Sequence, residues 1–231
     1  MVQGCVCSVV HSSEFSVIVT IDGPAGAGKS SIAKQIAQAL GFEFLDTGAL
    51  YRAATLASLQ AGVDLEDPQT LADFVSQLEI RWQDPQVRVN GSDVSRQIRT
   101  PEVTASIKYL ADEPRVRAQL SLIQQSIAHG RNMVTEGRDQ GAEVFPEAEC
   151  KIFLTATAEE RARRRVLQLA EQGIEEDFQA VLAAQMKRDH EDESRPVGRL
   201  RIADGAVVVN SDGLTAQEVK QQIVDLVQQR Q

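Results

Sequence analysis

Residues 17–30 read Val17-Ile-Val-Thr-Ile-Asp22 and then Gly23-Pro-Ala-Gly-Ala-Gly-Lys-Ser30. The first six residues form a short β-branched run, which is typical of a buried strand. The next eight match G-x-x-x-x-G-K-[ST], the pattern of a phosphate-binding loop. From Ser31 to Leu40 apolar residues recur at helical spacing, so this segment predicts a helix. Strand, glycine loop and helix therefore follow one another in the order that the pattern requires.

Each part of this loop suits the binding of an anion. Gly23, Gly26 and Gly28 permit a tight turn whose backbone N–H groups approach phosphate oxygens. The following helix directs its positive dipole end at the same place. Lys29 adds a cation for the β- and γ-phosphates, and the Ser30 hydroxyl is a candidate Mg2+ ligand. A chance glycine-rich turn is the alternative, which the flanking strand and helix disfavour. We expect ATP to bind Gly23, Pro24, Ala25, Gly26, Ala27, Gly28, Lys29, Ser30 and Ser31.

Composition limits the classes of partner. The chain has 231 residues, 42% of them hydrophobic, which is enough to bury one large core. We expect a single domain over residues 17–231. The formal net charge of −9 does not favour broad attraction to nucleic acid or to anionic membranes. Anionic small-molecule substrates would therefore be held by local arginines, and we expect no nucleic-acid or membrane partner.

The first 16 residues have no basic segment followed by a long apolar run, so they do not resemble a signal peptide. Cys5 and Cys7, with His11 nearby, lack the second ligand pair of a metal site. We expect residues 1–16 to form a flexible extension. Three cysteines without a disulfide pattern fit a reducing compartment, and we expect a cytoplasmic protein. No stretch approaches the length of a transmembrane helix.

A second strand is predicted over residues 41–46, and it leads into a helix from Thr47 to Gln60. Strand and helix alternate, which predicts a parallel sheet covered by helices on both faces. In such sheets ligands bind outside the carboxyl ends of the strands. Asp22, Asp46 and the segment Thr47–Arg52 all fall at that edge.

Residues 64–99 have a different pattern. After a short helix, Glu79–Gln83 and Gln86–Asn90 alternate polar and apolar residues on either side of Asp84-Pro85. Asp93 begins a possible third strand. This predicts an antiparallel meander, which we interpret as an inserted subdomain in an α/β fold.

The rest of the chain returns to alternating strands and helices. Residues 101–129 are predicted helical, with a break at Pro114. The further strands and helices are expected at Asn132–Glu136, Lys151–Leu154, Ala158–Gln172, Phe178–Asp192, Ala206–Asn210 and Thr215–Val227.

Several motifs stand in the order of one family, over about residues 17–227. They are Gly23–Ser30, Leu45–Arg52, Ile98-Arg-Thr, Pro114–Arg117, Glu136–Asp139 with Val144–Pro146, Lys151–Leu154, Glu159–Arg165 with Gln168-Leu, and Arg188–Arg195. In these motifs the chain resembles bacterial cytidylate kinase, and the insertion makes the resemblance more specific than the phosphate-binding loop alone. The resemblance implies ATP- and Mg2+-dependent phosphorylation of CMP and dCMP. It also implies the nucleoside monophosphate kinase fold, with a substrate-binding insert at about 64–99 and a helical lid at about 158–170.

The resemblance also assigns residues. The cytosine would be addressed by Arg117 and Asp139, and the acceptor phosphate by Arg138 and Arg188. The implied CMP-binding set is Thr47, Tyr51, Arg52, Arg117, Arg138, Asp139, Arg188, Asp192 and Arg195. Lid arginines would be Arg161, Arg164 and Arg165, with Arg164 on the ATP side. The implied catalytic set is Lys29, Arg138, Arg161, Arg165 and Arg188.

The chain departs from the family pattern at three positions. Thr47 replaces a common serine and keeps the hydroxyl, whereas Gln125 stands where an arginine is common. Lys108 stands where a serine usually contacts the base, which bears on the details of base recognition more than on the reaction.

Two other functions remain open at this point. Another small-molecule kinase, of the uridylate or shikimate type, would share the loop, although the meander argues against shikimate kinase. A nucleotide-dependent switch is the second, but the chain has no guanine-reading N-K-x-D run.

Arg163 is interpreted as part of a solvated helix face. We expect a monomer that uses ATP and CMP or dCMP.

Overall fold

A computed structural model describes residues 16–230 of the chain. The expectations for Cys5, Cys7, His11 and a flexible extension concern residues 1–15, which lie outside the described residues. None of the helices within 16–230 combines the length and the apolar character that a bilayer crossing requires.

A five-stranded parallel sheet forms the centre of the structure. In chain order its strands are Ile18–Asp22 (β1), Glu43–Asp46 (β2), Met133–Gly137 (β6), Cys150–Thr155 (β7) and Val207–Asn210 (β8). Their spatial order in the sheet is β2-β6-β1-β7-β8. The register aligns Asp22 with Gly137, and Asp46 with Glu136. Four chemically useful residues therefore share the carboxyl edge, and the predicted parallel sheet is confirmed.

Helices cover both faces of this sheet, since successive strand residues point to opposite sides. On one side Phe44 and Val134 join a core with α1, Lys29–Leu40, and α8, Ala216–Gln228. On the other side Leu45 and Met133 join a second core with helices α2, Thr47–Gln60, α4, Pro101–Asp112, and α5, Pro114–Ala128. Helices α6, Ala158–Glu171, and α7, Phe178–Ser194, pack against each other after β7.

The insertion begins with α3, Pro68–Ser76, and continues as an antiparallel sheet in the order β3-β4-β5. These strands are Ile80–Gln83, Gln86–Val89 and Ser92–Asp93, so the predicted meander is confirmed. Its buried side chains belong to the same core as α2 and α4. The Trp82 indole N–H also donates to the Phe44 carbonyl oxygen of β2 at 2.9 Å. The insertion is thus a separate sheet that shares a core with the rest of the protein.

Candidate active site

A cleft of about 650 Å³ lies at the carboxyl edge of the parallel sheet. It brings together most of the residues that the sequence suggested: Ala25, Gly26, Gly28, Lys29, Ser30, Ser31, Thr47, Tyr51, Arg52, Arg117, Arg138, Asp139, Arg161, Arg164, Arg165, Arg188, Asp192 and Arg195. Gly23, Pro24 and Ala27 belong to the same loop but are not part of the cleft lining. Ala27 is buried in the core beneath the loop.

The glycine loop is held in one conformation by its surroundings. Gly23, Gly26 and Gly28 have φ angles of 148°, 80° and 88°, which favour glycine. A Cβ on Gly23 would overlap the carbonyl oxygen of Leu154 in β7, so the loop starts in close contact with the neighbouring strand. Gly28 immediately precedes α1, whose first N–H groups have no partner within the helix. This arrangement presents backbone donors to the cleft.

Lys29 forms no ion pair with the acids of residues 16–230. It is 5% exposed, and its Nζ donates to the Pro24 carbonyl oxygen at 2.8 Å rather than to a carboxylate of the described chain. Burial, and then the positive charge of Arg138, lower the pKa of Lys29 to about 7. A phosphate arriving at this end of the cleft would relieve both effects.

Ser30 and Glu136 form a small oxygen pair beside Lys29. The Ser30 hydroxyl donates to Glu136 Oε1 at 2.8 Å, and Glu136 is 8% exposed at the end of β6. Within residues 16–230 no group of three or more acidic, histidine or cysteine side chains is arranged to hold a metal ion. A hydroxyl and a carboxylate nevertheless fit Mg2+, which takes few protein ligands and completes its shell with phosphate and water oxygens. The sequence motif contained Glu136, but no role was predicted for it.

Close to Lys29, the cleft also contains a network of arginines and acids. Asp192 accepts from Arg138 Nε at 2.7 Å and from Arg195 Nη1, whose distance is 3.0 Å. Arg195 also contacts Asp112 at 2.8 Å. Burial alone would raise the pKa of Asp192, but Arg138 and Arg195 hold it below its usual range. Asp192 is therefore an anion that orients two arginines, a role that spacing alone did not suggest.

The Tyr51 and Arg52 side chains continue this network from α2. Arg52 pairs with Asp46 at 3.1 Å, and Asp46 also caps α2 by accepting the Ala49 N–H. The Thr47 hydroxyl donates to the Glu136 carbonyl oxygen at 2.7 Å, so it joins α2 to β6.

Arg117 and Asp139 form a buried ion pair, with 8% and 6% of their surfaces exposed. Arg117 also donates to the Ala111 carbonyl oxygen at 3.0 Å and lies 5.5 Å from the Tyr51 ring centre. A Cβ on Gly198 would overlap the Arg117 guanidinium, so the chain after α7 closes tightly over this pair.

Helix α6 contacts both the glycine loop and α7. Arg161 is 4% exposed and pairs with Asp189 of α7 at 2.6 Å, while its Nη1 donates to the Ala25 carbonyl oxygen at 2.9 Å. Arg164 bonds the Ser211 carbonyl oxygen at 2.7 Å. Asp189 is a further partner that the sequence did not single out.

The remaining arginines of α6 are less constrained. Arg165 lines the cleft and contacts only Gln168, at 2.8 Å, among the side-chain hydrogen bonds of residues 16–230. Arg163 is exposed and meets Glu160 at 3.3 Å, in agreement with its interpretation as part of a solvated face.

Arg188 differs from the other arginines of the cleft. It lines the cleft from α7 without a hydrogen bond or ion pair to any residue between 16 and 230. Desolvation, and then the positive charge of Arg138, lower its pKa. Arg188 as a whole is exposed, so the repulsion between its guanidinium group and that of Arg138 is the more relevant of these two causes. An anion bound in the cleft near both arginines would reduce this repulsion.

Two of the departures from the family pattern lie outside the cleft lining. Lys108 is exposed, with its Nζ 5.0 Å from the Tyr109 ring centre, whereas its neighbours Ile107 and Ala111 line the cleft. Gln125 donates to the Val144 carbonyl oxygen at 2.8 Å and so supports the turn after Asp139.

Comparisons with known proteins identify the family. The family model described as cytidylate kinase matches residues 19–229. The cytidylate kinase of Rhodopirellula baltica is 54% identical over 213 residues, which cover 92% of this chain and 93% of that protein. That of Shouchella clausii is 42% identical over 215 residues, covering 91% and 96%. A crystal structure of an uncharacterized protein from Eubacterium ventriosum shares the fold, with a TM-score of 0.52, 13% identity and coverage of 93% and 99%. The chain belongs to the cytidylate kinase family.

Proposed function

We propose that the protein transfers the γ-phosphoryl group of ATP to CMP, giving CDP and ADP, with dCMP as a second acceptor. The observation that carries this proposal is that one cleft is lined both by a phosphate-binding loop and by the Arg117–Asp139 pair. Lys29 and Arg188, which form no ion pair with any residue from 16 to 230, belong to the same cleft. Family membership supports this reaction over the uridylate kinase and switch alternatives.

At the donor end, the backbone of residues 23–31 would hold the ATP phosphates, and Lys29 would bind the β- and γ-phosphates. Ser30, supported by Glu136, would hold Mg2+. The chemistry supplied there by a bound ion would be positive charge that neutralises phosphate oxygens of ATP. Arg161 and Arg165 would stabilise the charge of the transferring group, and Arg164 would contact the ATP side.

At the acceptor end, Arg138 and Arg188 would hold the CMP phosphate, with Thr47, Tyr51, Arg52, Asp192 and Arg195 placing the rest of the nucleotide. A phosphate acceptor is already an anion near neutral pH, so the reaction needs no general base from the protein. The main barrier is repulsion between two anions that must be aligned. Arginines suit this task because their planar groups bind phosphate in a bidentate manner and stay charged.

Base selection is assigned to Asp139 and Arg117. Cytosine carries an amino donor next to the N3 acceptor, and uracil reverses both. The Asp139 carboxylate would accept from the amino group, and Arg117 would donate to N3 or O2. Because both side chains are buried, a mismatched base would leave polar groups without partners.

Residues 64–99 are proposed to close over CMP and residues 158–170 to close over ATP, within one kinase domain over residues 17–231. Closure would exclude water, which competes with CMP for the phosphoryl group. We further propose a monomeric enzyme, and a cytoplasmic one because three cysteines without a disulfide pattern fit a reducing compartment.

A coupled assay of ADP release tests the reaction. ATP and Mg2+ are supplied with CMP, dCMP, UMP, AMP or shikimate in separate reactions. We expect rapid turnover with CMP and dCMP and much slower turnover with the others. Preference for UMP, AMP or shikimate would replace the proposed acceptor, and ATP binding without turnover would indicate a switch.

A further inference from the structure

Asp22 is a buried carboxylate for which phosphate binding has no direct use. It ends β1 and is 2% exposed. One of its oxygens accepts the Gln140 N–H, and the other accepts the Gly141 N–H, each at 2.8 Å. Both bonds reach across more than a hundred residues of sequence. They join the strand of the glycine loop to the segment that directly follows Asp139.

The two N–H groups belong to a single π-helical turn, Gln140–Val144, which starts at Asp139. The Asp139 carbonyl oxygen accepts the Glu143 N–H at 2.8 Å, so the backbone of Asp139 moves with this turn. A Cβ on Gly141 would lie 2.8 Å from the Thr20 hydroxyl of β1, which shows that the turn is seated directly on the strand. The position of the Asp139 carboxylate opposite Arg117 therefore depends on how the turn is docked.

An acid at position 22 is costly, because burial raises its pKa. The two N–H bonds and the charge of Lys29 oppose this rise and the charge of Asp139 adds to it, which leaves the pKa of Asp22 at about 7. A neutral amide would avoid the buried charge, but it has one acceptor oxygen and would turn an N–H2 donor towards one of the two backbone donors. A carboxylate is the side chain that satisfies both N–H groups at once.

We propose that Asp22 is a positioning residue for base selection, which docks the turn after Asp139 and so holds the Asp139 carboxylate in place to read the cytosine amino group. This inference rests on the proposed function, in which Asp139 reads the base. Asp22 itself touches no substrate. It acts on the acceptor end although it stands next to the loop for the donor.

A competing role is support of the donor end through Lys29, because the Asp22 charge opposes the lowering of the Lys29 pKa. The two roles predict different kinetics. Positioning of Asp139 predicts a change in the choice between CMP and UMP and in KM for CMP. Support of Lys29 predicts a lower kcat and a higher KM for ATP, with the base preference unchanged.

The test measures kcat/KM for CMP and UMP, and KM for ATP, in the wild type, Asp22→Asn, Asp139→Asn and the double variant. We expect Asp22→Asn to lower the CMP-to-UMP ratio by about tenfold, with KM for ATP close to that of the wild type. Because Asp22 acts through Asp139, it should lower the ratio no further in the Asp139→Asn background. Thr135→Val is the matched control, since Thr135 is fully buried in the adjacent strand β6 and its hydroxyl has no partner among the described residues.

The outcomes separate the inference from the proposed function. If Asp139→Asn lowers the ratio and Asp22→Asn does not, the positioning role is wrong while the base-reading assignment stands. If the wild type does not prefer CMP, the base-reading assignment itself fails. Should Asp22→Asn not fold, Gly141→Ala lifts the turn from Thr20 by steric contact and is expected to lower the ratio in the same way. An unchanged ratio in folded Gly141→Ala would overturn the inference.

Discussion

The donor end and the acceptor end of the cleft are built in different ways. The proposed donor end is formed mainly by nine consecutive residues, 23–31, whose backbone shape is set by glycines and by contact with β7. The proposed acceptor end draws its charged side chains from α2, α5, the segment after β6, and α7. There Asp46, Asp139 and Asp192 hold arginines in ion pairs. One end is therefore a local structure, and the other is a tertiary network.

This difference affects how each end responds to a mutation. A backbone cradle loses little when one of its side chains changes, except where that side chain is the cation itself. In a network, removal of one member leaves a buried partner without its counterion. We therefore expect single substitutions to have separable effects at the donor end and coupled effects at the acceptor end.

The largest effect is expected at Lys29. Lys29→Ala removes the charge that addresses the transferring phosphoryl group, and we expect turnover to fall by about 10³-fold or more. The fold should persist, because Lys29 is buried against its own loop and no carboxylate of the described chain pairs with it. The measurement is kcat together with a thermal unfolding curve. Lys34→Ala, in the same helix, is the control, and near-normal activity of Lys29→Ala would remove the donor-end assignment.

Arg188→Ala tests the unpaired cation at the acceptor end. We expect kcat/KM for CMP to fall by about 10²-fold, because a phosphate would lose a charged donor aimed at it. Stability should change little, since no ion pair within residues 16–230 is broken. Lys187→Ala is the neighbouring control, as Lys187 meets only Glu191, at 3.9 Å. Equal activity of the two variants would show that Arg188 does not contact the acceptor phosphate.

Asp139→Asn tests the reading of the base. Leaving polar groups of uracil unpaired costs about 1–3 kcal/mol in the wild type, or about tenfold to a hundredfold in preference for CMP. An amide turns its N–H2 towards the uracil carbonyl, so the ratio of kcat/KM for CMP and UMP should narrow. Because Lys108 is exposed and outside the cleft lining, we expect Lys108→Ser to leave the ratio unchanged. The same ratio in Asp139→Asn as in the wild type would exclude Asp139 as the base reader.

The smallest effect concerns motion, measured by hydrogen exchange with and without a bisubstrate analogue. We expect exchange to slow in residues 158–170 and 64–99 when the analogue binds. The decrease in exchange should be larger in α6 and the adjoining α7 than in the insertion. Asp192 is the one fully buried residue of α7, whereas the insertion shares a hydrophobic core with α2. Helix α1 serves as the static reference. Unchanged exchange in both segments would mean that neither closes over the substrates.

Much of the fold follows from local patterns. Predicted strands such as 132–136 and 151–154 lie within one residue of Met133–Gly137 and Cys150–Thr155. The break at Pro114 separates α4 from α5, since proline begins a helix readily and cannot continue one. The insertion was also visible, because its alternation of polar and apolar residues differs from that of the buried strands around it.

The site could be predicted from the sequence less completely than the fold. The motifs contained the arginines and also Asp46 and Asp189, but they did not indicate that these acids pair with Arg52 and Arg161. Asp112, which pairs with Arg195, lies outside the motifs. Glu136 belongs to the motif Glu136–Asp139, but only its contact with Ser30 in the folded chain shows that it lies beside the glycine loop. The sequence also gave no reason to connect Asp22 with Asp139, since the residues that it bonds are more than a hundred positions away.

Local sequence is enough to predict the phosphate-binding loop, the alternation of strands and helices and the family, because these features depend on residues that are close together in the chain. The tertiary structure sets which charged side chains form ion pairs. It paired Arg117 with Asp139 and Arg138 with Asp192, left Lys29 and Arg188 without acidic partners among residues 16–230, and docked the turn after Asp139 on Asp22. Pairing of this kind depends on the strand order β2-β6-β1-β7-β8, which brings together the ends of strands that lie far apart in sequence.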